Sequence, residues 1–231
     1  MKRITAIILA AGVGKRMNSN IPKQYLKIND KEILYYTIRA FEMSKVDDIV
    51  IVTGQDDMEY CKHEIVEKYS FVKVKQIVVG GNERFNSVNN GLNAIVQADY
   101  VMIHDGARPC IEIDDINNMI DCVIENNACI MAVKAKDTIK IVKDGYIIDS
   151  PNRELMWQAQ TPQVFEYNKI KDAYNNMIKN AVYEKCNITD DASVWSLYNT
   201  ELVKIYEGKY TNLKITTPED IDSAKKNLEL A

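Results

Sequence analysis

The first apolar run of the chain, Ile4 to Leu9, passes directly into Ala10-Ala11-Gly12-Val13-Gly14-Lys15-Arg16-Met17. Small residues let a backbone approach a ligand closely, and successive N–H groups in such a turn point at an anion. Neither common phosphate loop fits. A dinucleotide-binding turn wants a third small residue where Met17 stands, and an ATPase P-loop follows Gly-Lys with a hydroxyl for magnesium where this chain has Arg16. What remains is a glycine loop with its own cations, Lys15 and Arg16, followed by Lys23 in Ile21-Pro22-Lys23-Gln24-Tyr25. Further cations recur after apolar runs or in irregular segments. Arg84 follows Gly80-Gly81-Asn82-Glu83, Arg108 follows His104-Asp105-Gly106-Ala107, Arg153 follows Ser150-Pro151-Asn152, and Lys214 follows Asn212-Leu213. One such residue alone is ordinarily a solvated surface charge. Gathered at converging strand ends, they make a local positive pocket suited to a polyphosphate. Asp105 is the one carboxylate that stands out among them. Mg²⁺ is commonly held by one or two carboxylates plus substrate phosphates, so a lone Asp suffices, although pairing with Arg108 or capping the turn would equally explain it. The set points to nucleotidyl or phosphoryl transfer, in which positioning and charge stabilisation do most of the catalysis.

These residues need a scaffold that brings strand ends together. Apolar runs alternate with amphipathic stretches almost throughout, the pattern of βαβ units around a mostly parallel sheet whose sites lie at the C-terminal strand ends. Strands are expected at residues 4–9, 48–53, 74–79, 100–104 and 129–133, with helices at 32–43, 58–68, 84–96 and 113–125. The alternation breaks at Thr138–Val142 and Tyr146–Asp149, two β-rich runs around Lys143-Asp144-Gly145 that predict a hairpin. With little apolar mass of its own, this segment, about residues 136–158, is expected to project as an arm that needs a partner surface, and hence a homodimer. Helices follow at 168–178 and 189–198, strands at 201–206 and 213–215, and a closing helix at 218–228 with Pro218 in its first turn. No linker or repeat divides the 231 residues, so a single α/β domain with an arm is expected.

The composition excludes several classes of function. Lys and Arg number 29 against 33 Asp and Glu, a net charge of −4 that disfavours a nucleic-acid protein. No apolar run approaches the roughly 20 residues of a membrane span. The start imitates a signal peptide but ends after about eight apolar residues in a cationic glycine loop, so a cytoplasmic protein is expected. Five scattered cysteines without a C-x-x-C pair suit small buried hydrophobes, not a disulfide framework or zinc ribbon. Trp157, Trp195, Tyr35 and Tyr36 are read as packing groups.

AAGVGKRM with PKQY four residues later, then GGNERFNSV, HDGARP, DTIK, NRELMWQAQTPQVF, ITDDAS and NLKITTPED, run in order from the first strand to the last helix. Together they resemble the 2-C-methyl-D-erythritol 4-phosphate cytidylyltransferases of the non-mevalonate isoprenoid pathway. The resemblance implies a Rossmann-like sheet of the nucleotide-diphospho-sugar transferase type. It also implies Mg²⁺-dependent reaction of CTP with methylerythritol phosphate, giving the CDP-linked product and pyrophosphate. Carried over by position, Arg16 and Lys23 stabilise charge on the CTP α-phosphate, and Lys15 with the backbone of Ala10, Ala11, Gly12 and Gly14 cradles the triphosphate. Gly80, Gly81, Asn82, Arg84 and Ser87 hold cytosine and ribose, and Asp105 binds magnesium. Arg108, Thr138, Arg153, Thr161, Thr189 and Lys214 face the acceptor, with Thr138 and Arg153 reaching into the neighbouring subunit's site. Two positions depart from the family pattern. Asn82 replaces a common Asp and supplies hydrogen bonds without charge; Gly106 replaces a common Ala, which is expected to be harmless in a tight turn. Ribitol-5-phosphate cytidylyltransferase is the nearest alternative, but its AGGIGSRM, HDAVRP and VRNEMYQGQTPQ pattern differs from the residues here. A nucleotide-binding regulator need not keep both Arg16 and Lys23. His104 is assigned packing and hydrogen bonding, because a phosphate monoester is already a nucleophile and needs no base.

Overall fold

The computed structural model describes residues 2–12, 14, 17 and 21–229. β1 (Ile4–Ala10) is followed by a short ribbon of β2 (Lys27–Ile28) and β3 (Lys31–Glu32), then α1 (Ile33–Glu42) and β4 (Asp48–Thr53). Next come α2 (Met58–Tyr60), continued by a π-helical stretch over Cys61–Glu67, β5 (Val74–Val79), α3 (Arg84–Ala94), β6 (Tyr100–Asp105), α4 (Ile113–Asn126) and β7 (Ala128–Lys134). The rest comprises the hairpin β8 (Ile141–Lys143) and β9 (Tyr146–Asp149), then β10 (Trp157–Glu166), α5 (Tyr167–Lys179), α6 (Asp191–Tyr198), β11 (Lys204–Glu207) and α7 (Glu219–Glu229).

Seven strands form one sheet in the order β11-β7-β10-β6-β1-β4-β5. β1 pairs in parallel with both β4 and β6, β4 with β5 and β7 with β11, whereas β10 runs antiparallel between β6 and β7. The chain lays β4 and β5 on one side of β1 and then crosses to place β6 on the other. A crevice therefore opens between the C-terminal ends of β1 and β6, where the strand order reverses.

Both sheet faces are covered, so inner strands are apolar on alternate residues in both directions. Ile8, Ile49 and Met102 turn toward α1 and α4, while Ile7, Val50, Val101 and Ile103 turn toward α3, α5 and α6. Leu34, Ile38 and Phe41 form the fully buried stripe of α1 expected from their helical spacing. Trp195 is fully buried and stacks on Phe165 at 5.4 Å, and Cys61, Cys110 and Cys129 are buried thiols; Cys186, by contrast, is exposed.

β10 carried no strand expectation, and its composition explains why. Its Gln-Ala-Gln-Thr-Pro-Gln stretch looks like a loop, and Pro162 cannot donate to a ladder. The register shifts between Ala159 and Gln163, leaving Pro162 where no ladder bond is required. Conversely, Leu213–Ile215, expected as a strand, lies outside the sheet, and the Ile215 N–H donates to the Ala107 carbonyl at 2.9 Å. The hairpin forms as expected, with Asp144 and Gly145 at φ of 51° and 83°, the left-handed pair of a tight Asp-Gly turn.

One polar network seals the end of β6 against β10. His104 is fully buried, its ring 5.1 Å from that of Phe41. Its Nε2 donates to the Arg108 carbonyl at 3.3 Å, so in the neutral ring Nδ1 accepts from Thr161 Oγ1 at 3.1 Å, and that oxygen accepts the Asp105 N–H at 3.0 Å. This is the packing and hydrogen-bonding role expected for His104. Burial pushes its pKa down to about 4, with Asp105 opposing. The unfolded chain then binds a proton below about pH 6.5 that the folded chain refuses, so stability falls as pH drops from there toward 4, by up to ~3 kcal/mol. The exposed His63, raised by Glu67, has the opposite sign, and its share is lost as pH rises. Denaturant midpoints from pH 7 to 4 are expected to fall less steeply in His104→Asn than in wild type; parallel profiles would show that His104 is not the titrating group.

Candidate active site

A cleft of about 250 Å³ occupies the crevice, walled by Ala10, Ala11 and Gly12 of the first loop, by the turn after β5, and by Asp105 at the end of β6. The walls touch closely where glycines allow it. A Cβ at Gly80 would lie 2.4 Å from Ala11 Cβ and 2.8 Å from Ser87 Oγ, and one at Gly81 would lie 2.3 Å from Asn86 Cβ. The Gly81 N–H donates to Ser87 Oγ at 3.1 Å, fixing that hydroxyl on the first turn of α3. Gly14 has φ of +62°, and a Cβ there would press on the aliphatic stem of Lys23 at 3.2 Å. Gly106 is tighter than expected: an alanine would bring Cβ within 2.9 Å of the Leu9 carbonyl and 3.0 Å of Leu34 Cδ1.

Lys23 begins a single 3₁₀ turn, Lys23–Tyr25, pinned on both sides. Gln24 donates from Nε2 to the Ala10 carbonyl, while the buried Tyr25 hydroxyl meets Thr53 Oγ1 at 2.6 Å at the end of β4. Lys23 Nζ donates to the Ile215 carbonyl at 2.8 Å. Both polar groups of the Ile215 peptide are thus used, one by Lys23 and one by Ala107, which explains how an irregular segment delivers Lys214 to the cleft.

Asp105 lies at the electrostatic centre. Its Oδ2 is 2.9 Å from Lys214 Nζ and 3.6 Å from Arg108 Nε, and its Oδ1 is 3.7 Å from Arg84 Nε. Burial alone would raise its pKa, but Lys214, Arg84 and Arg108 hold the carboxyl well below the usual carboxylate range. Arg84 is gripped from behind by Asp191, with Nη1 to Oδ1 at 2.8 Å and Nη2 to Oδ2 at 2.7 Å.

Ala10, Ala11, Gly12, Lys23, Gly81, Asn82, Arg84, Ser87, Asp105 and Lys214 are therefore brought together as lining, with Gly80 beneath the wall and Gly14 against Lys23. Lys15 and Arg16 lie outside the described residues. Arg108 is buried beside Asp105 and donates from Nη1 to the Asn212 carbonyl at 2.8 Å. Thr161 sits behind Asp105 and is spent on the His104 network. Thr138 and Arg153 are exposed on the arm, where Arg153 Nη1 donates to the Lys136 carbonyl at 3.1 Å, and Thr189 lies at a second, open depression with Ser193 and Leu202. None of these three lines the cleft within one chain. Gln24, Glu83 and Ala107 line it without having been singled out, although each sits inside a quoted motif.

The donor set bears on a metal. Among the described residues, no group of three His, Cys, Asp or Glu side chains is placed to hold one. The described residues do not fit a cation held by protein alone. A magnesium ion carried mainly by a triphosphate, with Asp105 as its one carboxylate, does fit the chemistry of the cleft.

The family model described as 2-C-methyl-D-erythritol 4-phosphate cytidylyltransferase matches residues 4–229. Proteins of that name from Lachnoclostridium phytofermentans and Clostridium botulinum (strain Loch Maree) are similar. The first is 49% identical over 222 residues, covering 96% of this chain and 94% of the relative; the second is 46% identical over 232 residues, covering 99% of each. The crystal structure of 4-diphosphocytidyl-2C-methyl-D-erythritol synthase from Anaerococcus prevotii superposes with a TM-score of 0.85 at 34% identity, covering 99% of this chain and 96% of that one. That of the Francisella tularensis cytidylyltransferase gives 0.77 at 32% identity, covering 97% and 99%. With the match running from the first strand through the last helix, this chain belongs to the 2-C-methyl-D-erythritol 4-phosphate cytidylyltransferase family.

Proposed function

We propose that this chain transfers the cytidylyl group of CTP to 2-C-methyl-D-erythritol 4-phosphate. A phosphate oxygen of the acceptor forms a bond to the α-phosphorus as the α–β phosphoanhydride bond breaks and pyrophosphate leaves. The observation that carries the reading is the convergence of Lys23, Arg84, Asp105 and Lys214 on one cleft at the switch point of a chain matched to this family end to end. Lys23, held by its packed stem and the Ile215 carbonyl, supplies positive charge where negative charge grows in the transition state. Lys214, tethered to Asp105, faces the acceptor side. Mg²⁺ belongs to the same proposal: when bound, it withdraws charge from the triphosphate, and Asp105 is the carboxylate that would hold it.

The arm supports a homodimer as part of this reading. Tyr146, Ile147 and Ile148 are 77%, 63% and 60% exposed on a hairpin that, among the described residues, forms a two-stranded sheet apart from the central one. A second copy covering them would bring Thr138 and Arg153 to the partner's cleft. A cytoplasmic location is included too, supported by five unpaired thiols and by the absence of a helix long and apolar enough to cross a membrane among the described residues.

Pyrophosphate release with CTP and Mg²⁺ is expected with methylerythritol phosphate and not with ribitol 5-phosphate; turnover with ribitol 5-phosphate alone would overturn the acceptor assignment. Lys23→Ala is expected to lower kcat by about 10²–10³-fold with a smaller change in CTP binding. Weaker CTP binding at unchanged kcat would remove Lys23 from the transition state. Light scattering is expected to give twice the 26.4 kDa chain mass, reduced to one chain in an Ile147→Asp, Ile148→Asp variant. A monomeric wild type would leave the arm without this role.

A further inference from the structure

Asp191 is a fully buried carboxylate to which the proposed reaction assigns no role. Burying a charge is costly unless it is paired and hydrogen-bonded, and here the ion pair that compensates it leads to the cleft wall. Both oxygens take the forked guanidinium of Arg84, and the Tyr174 hydroxyl, also fully buried, donates to Oδ1 at 2.5 Å. The backbone around Asp191 is held as firmly. Gln163 of β10 accepts the N–H groups of Asp191 and Ala192 on its Oε1, each at 3.0 Å. Its Nε2 donates to Asp190 Oδ2 at 3.1 Å, so one buried amide clamps the first turn of α6 to the sheet. Arg84 in turn begins α3, lines the cleft and stands over Asp105.

We propose that Asp191, clamped by Gln163 and Tyr174, is the positioning residue that aims Arg84 into the cleft. A guanidinium on a flexible stem has many rotamers; the bidentate bond selects one, in which Nη1 and Nη2 face Asp191 and Nε faces Asp105. Two carboxylates then share the charge of Arg84, which makes it an oriented donor in the cleft wall more than a free cation. β10 acts on Asp105 from two directions. Thr161 binds its backbone N–H, and Gln163, through Asp191, sets the arginine beside its carboxylate.

The proposal rests on the cleft being the CTP site, and the experiment separates the two. CTP with Mg²⁺ is titrated calorimetrically into wild type, Asp191→Asn, Arg84→Gln and the double variant. Asp191→Asn is expected to weaken binding about tenfold, equivalent to ~1.4 kcal/mol, and the double variant to bind no more weakly than Arg84→Gln alone. A residue that only supports the fold would lower the unfolding midpoint while leaving the Kd of the folded protein unchanged. Wild-type affinity in Asp191→Asn, or an undiminished loss in the Arg84→Gln background, would overturn the proposal. If Asp191→Asn fails to fold, Tyr174→Phe replaces it, with a two- to threefold loss expected only when Arg84 is present; no loss would likewise overturn it. A wild type that binds no CTP would instead sink the functional reading beneath.

Discussion

A carboxylate at the end of a buried strand needs compensating charge, and Asp105 draws that charge from one neighbour in its own turn and two distant parts of the chain. Arg84 opens α3, Arg108 closes the turn after β6, and Lys214 arrives on a segment outside the sheet. The local turn supplies Arg108, whereas Arg84 and Lys214 must be delivered by tertiary structure, and the features around the cleft act as means of delivery. Gly80 and Gly81 let α3 start close enough for Arg84 to reach. The Ile215 peptide, bonded on both sides, fixes Lys214. Asn212 reinforces it from below, accepting Arg108 Nη1 on its carbonyl while its side-chain amide donates to the Thr161 carbonyl at 2.9 Å.

The antiparallel strand β10 deserves separate weight in this arrangement. A purely parallel sheet of this order would place β7 beside β6; here β10 intervenes, directly after the arm, and its polar residues 160, 161 and 163 are all buried. Buried polar side chains are costly unless satisfied, and each of these is satisfied by the site or its supports. Thr161 serves His104 and Asp105, Gln163 serves α6, and Gln160 bonds Lys209 and Asn212. The segment that leaves the arm is thus also the one that stiffens the cleft: it runs on to Thr161, whose hydroxyl accepts the Asp105 N–H.

Most of the scaffold was legible because its signals are local. Alternating burial in β1, the apolar stripe of α1 and the Asp-Gly turn of the hairpin depend on residues within one element. Lys23, Arg84, Asp105 and Lys214 were legible as a set because chemistry at strand ends is visible as charge after an apolar run. β10 was not, because a central strand rich in Gln with a proline at its register shift imitates a loop. Leu213–Ile215 misled in the opposite direction, since three apolar-rich residues can be extended without a neighbour in the sheet. Asp191 lay beyond local reasoning for a further cause: its partners, Arg84, Gln163 and Tyr174, are dispersed in sequence and meet only after α3, α5 and β10 have packed.

The net charge of −4 and the cationic cleft are reconciled by the same pairing. Free lysines and arginines lining a pocket repel one another and must reorganise when a polyanion arrives. Here Arg84 is already tied to Asp191, Lys214 to Asp105, and Lys23 to a backbone carbonyl. Their orientations are set at the cost of shielding part of their charge. That exchange favours a transition state over a ground state, because prearranged dipoles and cations need not move as charge shifts during phosphoryl transfer. It also accounts for the spacing of Lys23, Arg84, Arg108 and Lys214 along an acidic chain: each has its own anchor, and a run of like charges on one element could not be anchored from several directions.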